Sequence, residues 1–209
     1  MEITIAYKDL SPYEKLQEIQ EYNFAKCERH FVAVYLKALW LKDLKTIEEY
    51  ESFGENPHHF FMNKRTYERQ LLFGYKEKSF DKYSWLETPK FNNYEELFFS
   101  PKKESTGSNR VSIGQGLNGK WSFSVSYSTG AAGGSSRCDI WGEIVDSRET
   151  AIIQGLTELI EKHNRQREQL YKKDSCGNYR EDYSRAIVRL VQDKLDEVMG
   201  KKGVQLELF

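Results

Sequence analysis

In the first half of the chain the hydrophobic positions recur in steps of three and four. Ser11-Pro12-Tyr13-Glu14 combines a capping hydroxyl, a proline at the first helical position and a glutamate at the third, a strong helix start. After it Leu16, Ile19, Cys27, Phe31, Val34, Tyr35 and Ala38 fall on one stripe, with Tyr22 and Phe24 flanking, which predicts a long helix running to Leu44. Thr46 with Glu49 predicts a short second helix that stops at Gly54, before a turn at Asn56-Pro57, and a third covers about Lys64 to Lys78. From Phe80 to Phe99 the pattern is aromatic and irregular, with one short helix in NYEELFF, and SPKKESTGSN (Ser100 to Asn109) reads as a linker.

Beyond the linker the period changes to two. WSFSVSY sets Trp121, Phe123, Val125 and Tyr127 on one face and Ser122, Ser124 and Ser126 on the other, the pattern of a half-buried strand. Asn118-Gly119 marks a hairpin, so Val111 to Leu117 pairs with that strand. Two registers fit. A two-residue turn sets Gly116 and Gly114 opposite Trp121 and Phe123, whereas a three-residue turn aligns Val111, Ile113 and Leu117 with the aromatic face. GAAGGSSR then leads to a third strand, Cys138 to Val145. Asp146-Ser147-Arg148-Glu149 caps a helix whose Ile152, Ile153, Leu156, Leu159, Ile160 and His163 form an apolar stripe for the aromatic sheet face. A last helix, about Arg180 to Met199, buries Tyr183, Ile187, Leu190, Val191, Leu195 and Val198 and ends at Gly200.

The expected fold class is therefore α+β: a helical, aromatic-rich N-terminal half, then a three-stranded antiparallel meander with a packing helix and a further C-terminal helix. The expected organisation is a helical domain over 1–105, a β-β-β-α-α domain over 106–200 and a flexible tail over 201–209.

Composition narrows the function. The net charge of −1 leaves no global basic field, so any nucleic-acid contact is local. Lys162 to Lys202 holds eleven basic against seven acidic residues. Within it Arg165, Arg167, Lys172, Lys173 and Arg180 are the candidate contacts to a phosphate backbone, with an ordinary solvated face as the alternative. Cys27, Cys138 and Cys176, at irregular spacing, and an N-terminus without a basic and apolar leader point to a reduced, cytoplasmic protein. FVAVYLKALWL is too short to span a bilayer.

Most chemical motifs are weak. GQGLNG has the glycine spacing of dinucleotide sites, but a strand follows it where the pyrophosphate requires a helix N-terminus. GAAGGSS lacks the Gly-Lys-Ser/Thr ending of a phosphate loop and reads as a mobile connection. Cys27 and His30 stand one helical turn apart without a second close doublet, so a core role for Cys27 is preferred to zinc. His58-His59, in an extended pair, would point opposite ways. Asp139 and Glu143 share a face of the third strand and offer a paired-carboxylate site, with strand solubility the simpler reading. No metal, cofactor or catalytic set is expected, and the reading leans to a non-enzyme.

The mean hydropathy of −0.72 contrasts with the end of the chain, Gln205-Leu206-Glu207-Leu208-Phe209. These residues resemble the peptide by which bacterial replication and repair proteins bind the sliding clamp, Gln-Leu-(Ser or Asp)-Leu-Phe, departing from it at Glu207. The resemblance implies that Leu208 and Phe209 fill an apolar pocket, Leu206 sits at its rim and Gln205 enters a polar one, with Gly200 to Gly203 as tether. The competing expectation is a tail packed on its own domain. In style the body resembles small accessory proteins of phages and conjugative elements. The expected function is thus a phage or mobile-element accessory protein of DNA transactions recruited to the sliding clamp; the alternative is an inhibitor that binds a host defence nuclease or another host protein.

Overall fold

Helix α1 (Pro12–Glu21) starts on the predicted box: Ser11 Oγ accepts from Glu14 N at 3.4 Å, and the Glu14 carboxylate accepts from Ser11 N at 2.8 Å. The computed structural model describes residues 6–101, 109–130, 132–171 and 179–200. The chain divides into two compact units, Met1–Pro89 and Lys90–Phe209.

In the first unit the expected long helix is two helices, α1 and α2 (Arg29–Leu41). The break lies at Glu28, only 1 % exposed, whose carboxylate accepts from Tyr22 Oη at 2.6 Å and from Ala25 N at 2.7 Å. A side chain that satisfies backbone and hydroxyl donors in this way competes with the helical ladder. Cys27, expected in the buried stripe, is consequently exposed on the connection. Lys42 ends α2 in the left-handed region, with φ of 55°.

Asp43, not Thr46, caps α3 (Leu44–Glu51): its carboxylate accepts from Thr46 N at 3.3 Å and Thr46 Oγ1 at 2.7 Å. Asn56-Pro57 is likewise a helix start and not a turn. Asn56 Oδ1 accepts from His59 N at 3.0 Å, and α4 (Pro57–Leu71) begins and ends seven residues before the expected bounds. Proline at the first helical position loses no hydrogen bond, since that N–H has no intrahelical partner.

Ile19, Tyr35, Phe60 and Phe61 are fully enclosed in the core of these helices, with ring centroids 5.1 Å apart for Tyr35–Phe60 and 4.6 Å for Phe60–Phe61. Lys15 Nζ and Glu51 Oε1 meet at 2.8 Å inside it, and Tyr35 Oη donates to the same carboxylate at 2.6 Å. Asn63 staples the following segment to α4. Its Nδ2 donates to Phe53 O and Ser84 O, each at 2.7 Å, and its Oδ1 accepts from Leu86 N at 2.9 Å.

The second unit is a four-stranded antiparallel sheet with two helices. Strands β1 (Glu95–Phe98), β2 (Arg110–Gln115), β3 (Trp121–Ser128) and β4 (Gly133–Gly134) lie in chain order. The α+β class holds, with two strands placed differently. The helix expected in NYEELFF is β1, paired with β2 from Glu95↔Ile113 to Phe98↔Arg110: tertiary pairing overrides local helix propensity. The linker stretch therefore joins two strands of one sheet. Between β2 and β3, Gly119 N donates to Gly116 O at 3.2 Å and Gly116 N to Lys120 O at 2.8 Å. Gly119 adopts φ of 84°, so this is the three-residue turn with its glycine in the left-handed position. Val111 faces Val125 and Ile113 faces Phe123, the second of the two registers. Leu117 stays exposed in the turn.

The expected third strand, Cys138 to Val145, forms only one bridge, Trp121↔Val145. Residues 135–142 instead strap the serine face of β3. Ser124 Oγ donates to Ser136 O at 3.2 Å, Ser136 Oγ to Val125 O at 3.0 Å, and Cys138 Sγ to Ser122 O at 3.4 Å. A Cβ on Gly142 would lie 2.3 Å from Ser122 Oγ. The alternating serines thus admit a close backbone, and β3 is buried on both faces where one wet face was expected.

On the opposite face lies α5 (Arg148–Tyr171), capped by Ser147 Oγ, which accepts from Thr150 N at 3.0 Å. Its Ala151, Ile152, Leu156 and Leu159 are buried with Val111, Ile113, Phe123 and Val125. Gly155 allows the approach, because a Cβ there would meet Val111 Cγ1 at 2.4 Å. Helix α6 (Glu181–Val198) packs on α5 through Ile187 and Val191 and is followed by Gly200 at φ of 68°; the predicted core residue Leu190 is exposed. Among the described residues no helix is long and apolar enough to cross a membrane.

Candidate functional site

Where α5 and α6 pack, two buried polar side chains face each other. Below Leu159 the next inward position on α5 is His163, 1 % exposed, and the facing residue of α6 is Ser184, 3 % exposed. Ser184 Oγ lies 2.7 Å from His163 Nδ1, and Asn109 Oδ1 lies 2.9 Å from His163 Nε2. Burial lowers the His163 pKa to about 4, so the ring is neutral at pH 7. An amide oxygen only accepts, so Nε2 carries the proton and Nδ1 accepts from Ser184. Asn109 Oδ1 also accepts from Ser128 N at 3.0 Å, and its Nδ2 donates to Tyr183 Oη at 3.1 Å. One asparagine at the start of β2 thereby ties the end of β3 to both helices.

Outward of this pair opens a cleft of about 420 Å³ lined by His163, Asn164 and Arg167 of α5 and by Ser184, Arg185, Val188 and Arg189 of α6. Three guanidinium groups and no carboxylate line it. Arg185 pairs with Glu181, one turn back on α6. Among the described residues Arg167 and Arg189 have no ion-pair partner. Such a cleft attracts anions and offers guanidinium forks that match phosphate oxygens.

The expected basic set divides on this geometry. Arg167 is in the cleft. Arg165 turns to a different groove of about 400 Å³, beside Phe123, Glu143, Glu158 and Glu161, where charges of both signs mix. Arg180 stands at the N-cap of α6, its backbone N–H donating to Thr129 O at 3.1 Å. Lys172 and Lys173 lie outside the described residues, as do Cys176 and the peptide Gln205, Leu206, Leu208 and Phe209. Arg185 and Arg189 belong to the basic surplus of Lys162 to Lys202 but not to the expected contact set. Their spacing of four on the helix that buries Ile187 and Val191 puts them on one face.

The weak motifs take structural places. GQGLNG is the β2–β3 turn. The GAAGGSS stretch supplies β4, pairing Gly134 with Tyr127 and Gly133 with Ser128, so its described part is an edge strand and not a loose connection. Asp139 Oδ1 accepts from Trp141 N at 2.9 Å in a turn, and Asp139 and Glu143 are not on a strand; the premise of their pairing fails. His58 and His59 occupy the first turn of α4, where both rings meet Trp85 edge-on, at 5.3 and 4.5 Å. Among the described residues no group of three or more His, Cys, Asp or Glu is placed to hold a metal ion.

The first unit carries a different feature. At the α2–α3 corner Trp40, Leu41 and Leu44 are exposed by 79 %, 60 % and 66 %, although the same helix buries Tyr35, Ala38 and Leu39. Neighbouring exposed apolar side chains of this size are a common feature of contact surfaces.

Comparison of the chain with protein-family models, with curated proteins and with solved structures finds no match in any of the three.

Proposed function

We propose that the chain is a non-enzymatic accessory protein of DNA transactions, encoded by a phage or mobile element and recruited to the bacterial sliding clamp by Gln205, Leu206, Leu208 and Phe209. The observation that carries the reading is the Gln-Leu-x-Leu-Phe pattern placed five residues past the Gly200 helix stop. Burial of Leu208 and Phe209 in an apolar pocket contributes roughly 3–6 kcal/mol before ordering costs, enough for weak to moderate binding. The Arg167–Arg185–Arg189 cleft supports DNA as the object of the recruitment, because it offers local positive charge on a chain with no global basic field.

Binding of a purified clamp to the full chain and to a chain truncated after Gly203 tests the recruitment. The full chain binds and the truncated one does not; equal binding by both, or none by either, refutes it.

The exposed Trp40–Leu41–Leu44 corner favours a second reading, an inhibitor that docks on a host defence nuclease through the first unit. That reading predicts a stoichiometric complex that survives removal of the tail and is lost in Trp40→Ala.

A further inference from the structure

We propose that the cleft between α5 and α6 is a site for the terminal phosphate of a nucleic-acid strand, held by Arg167, Arg185 and Arg189. The inference rests on the DNA reading above and names the group that is recognised. Arg185 and Arg189 stand one turn apart on α6, so they share a face, and Arg167 reaches the same cleft from α5. Asn164 adds a neutral amide at the wall.

Size and charge distinguish an end from a continuous backbone. A duplex carries a charge about every 1.7 Å and is tracked by a long basic stripe. Among the described residues the stripe is broken, since Arg165 belongs to the mixed groove with Glu143, Glu158 and Glu161. The cleft of about 420 Å³ falls near the small end of ordinary ligand sites, about 300–1,000 Å³, and matches a single phosphorylated nucleotide. A terminal phosphomonoester carries about −1.5 to −2 charge at pH 7, more than the single charge of an internal diester, and so draws several guanidinium groups at once.

The floor suits the same ligand. His163 and Ser184 satisfy each other at 2.7 Å, so the cleft ends in a neutral, hydrogen-bonded wall, and the Glu181 carboxylate beside Arg185 is neutralised by that guanidinium.

Fluorescence anisotropy with the full chain tests this, using single-stranded DNA dodecamers that carry a 5′-phosphate, a 3′-phosphate or neither. One terminal phosphate tightens binding by about tenfold or more, and Arg167→Gln and Arg189→Gln each remove about tenfold, the loss of one hydrogen-bonded charge contact. Both side chains are at least partly exposed, so the variants fold, which circular dichroism checks. Equal affinity for all three oligonucleotides, weakened alike by Arg167→Gln, overturns the end site and leaves general DNA contact standing. No binding of any oligonucleotide overturns both. In that event calorimetry with a nucleoside 5′-monophosphate asks whether a free nucleotide is the ligand, and heat lost in Arg167→Gln would reassign the cleft to it.

Discussion

Acid should loosen the second unit through His163 before it protonates most carboxylates. In the folded chain the ring is enclosed between Asn109 and Ser184, with the Tyr127 ring 6.2 Å away, and Arg167 of α5 with Arg185 and Arg189 of α6 share its cleft. Burial puts its pKa at about 4 against 6.5 for the ordinary group. The sign follows directly: the unfolded chain takes the proton first. The neutral ring's contribution is therefore fully present above pH 6.5 and is lost as pH falls from 6.5 towards 4. At 1.36 kcal/mol per pH unit the complete loss is about 3 kcal/mol, and about 2 kcal/mol is gone by pH 5. Hydrogen exchange of the β2, β3 and α5 amides at pH 7 and pH 5, corrected for intrinsic rates, reads the opening free energy of this unit apart from the other. Wild type loses about 2 kcal/mol more than His163→Gln, which has no proton to gain. An equal pH dependence in the variant, or an NMR titration of His163 with a midpoint near 6.5, would show that the ring is not held neutral by burial.

Two substitutions test the packing. Asn63→Ala removes three hydrogen bonds and strands Phe53 O, Ser84 O and Leu86 N, so chemical denaturation should show a loss of about 3 kcal/mol, with the Leu86 amide exchanging faster while the amides of α4 change less. Gly155→Ala forces a methyl to 2.4 Å from Val111 Cγ1 and should cost about 1–3 kcal/mol. Val111→Ala in the same chain should recover part of that cost, and a double-mutant cycle with no coupling would contradict the contact.

Elements whose signals are local are legible in the amino-acid sequence. The Ser11 capping box, a cap within Asp146 to Glu149 (made by Ser147), the stop at Gly200 and the aromatic alternation of β3 each rest on a few neighbouring residues, and each is present in the fold. The α+β class follows from the change of period between the two halves. Near misses were also local: Asp43 and Asn56 are good caps that lay beside equally good alternatives, Thr46 and a turn.

Features that depend on a distant partner emerge only when the chain is folded. Glu28 breaks the long helix because Tyr22 and Ala25 reach it, and a buried carboxylate with two donors outweighs an apolar stripe that would have continued through Cys27. Glu95 to Phe98 become a strand because β2 offers an edge. The serine face of β3 is covered because a strap with Gly142 fits closely over it, which alternation alone cannot reveal. The arginine cleft arises in the same way. Charge surplus was legible along Lys162 to Lys202, but only the packing of α5 on α6 sorts Arg167 with Arg185 and Arg189 and sends Arg165 elsewhere, since helix rotation is set by which apolar side chains meet in the core.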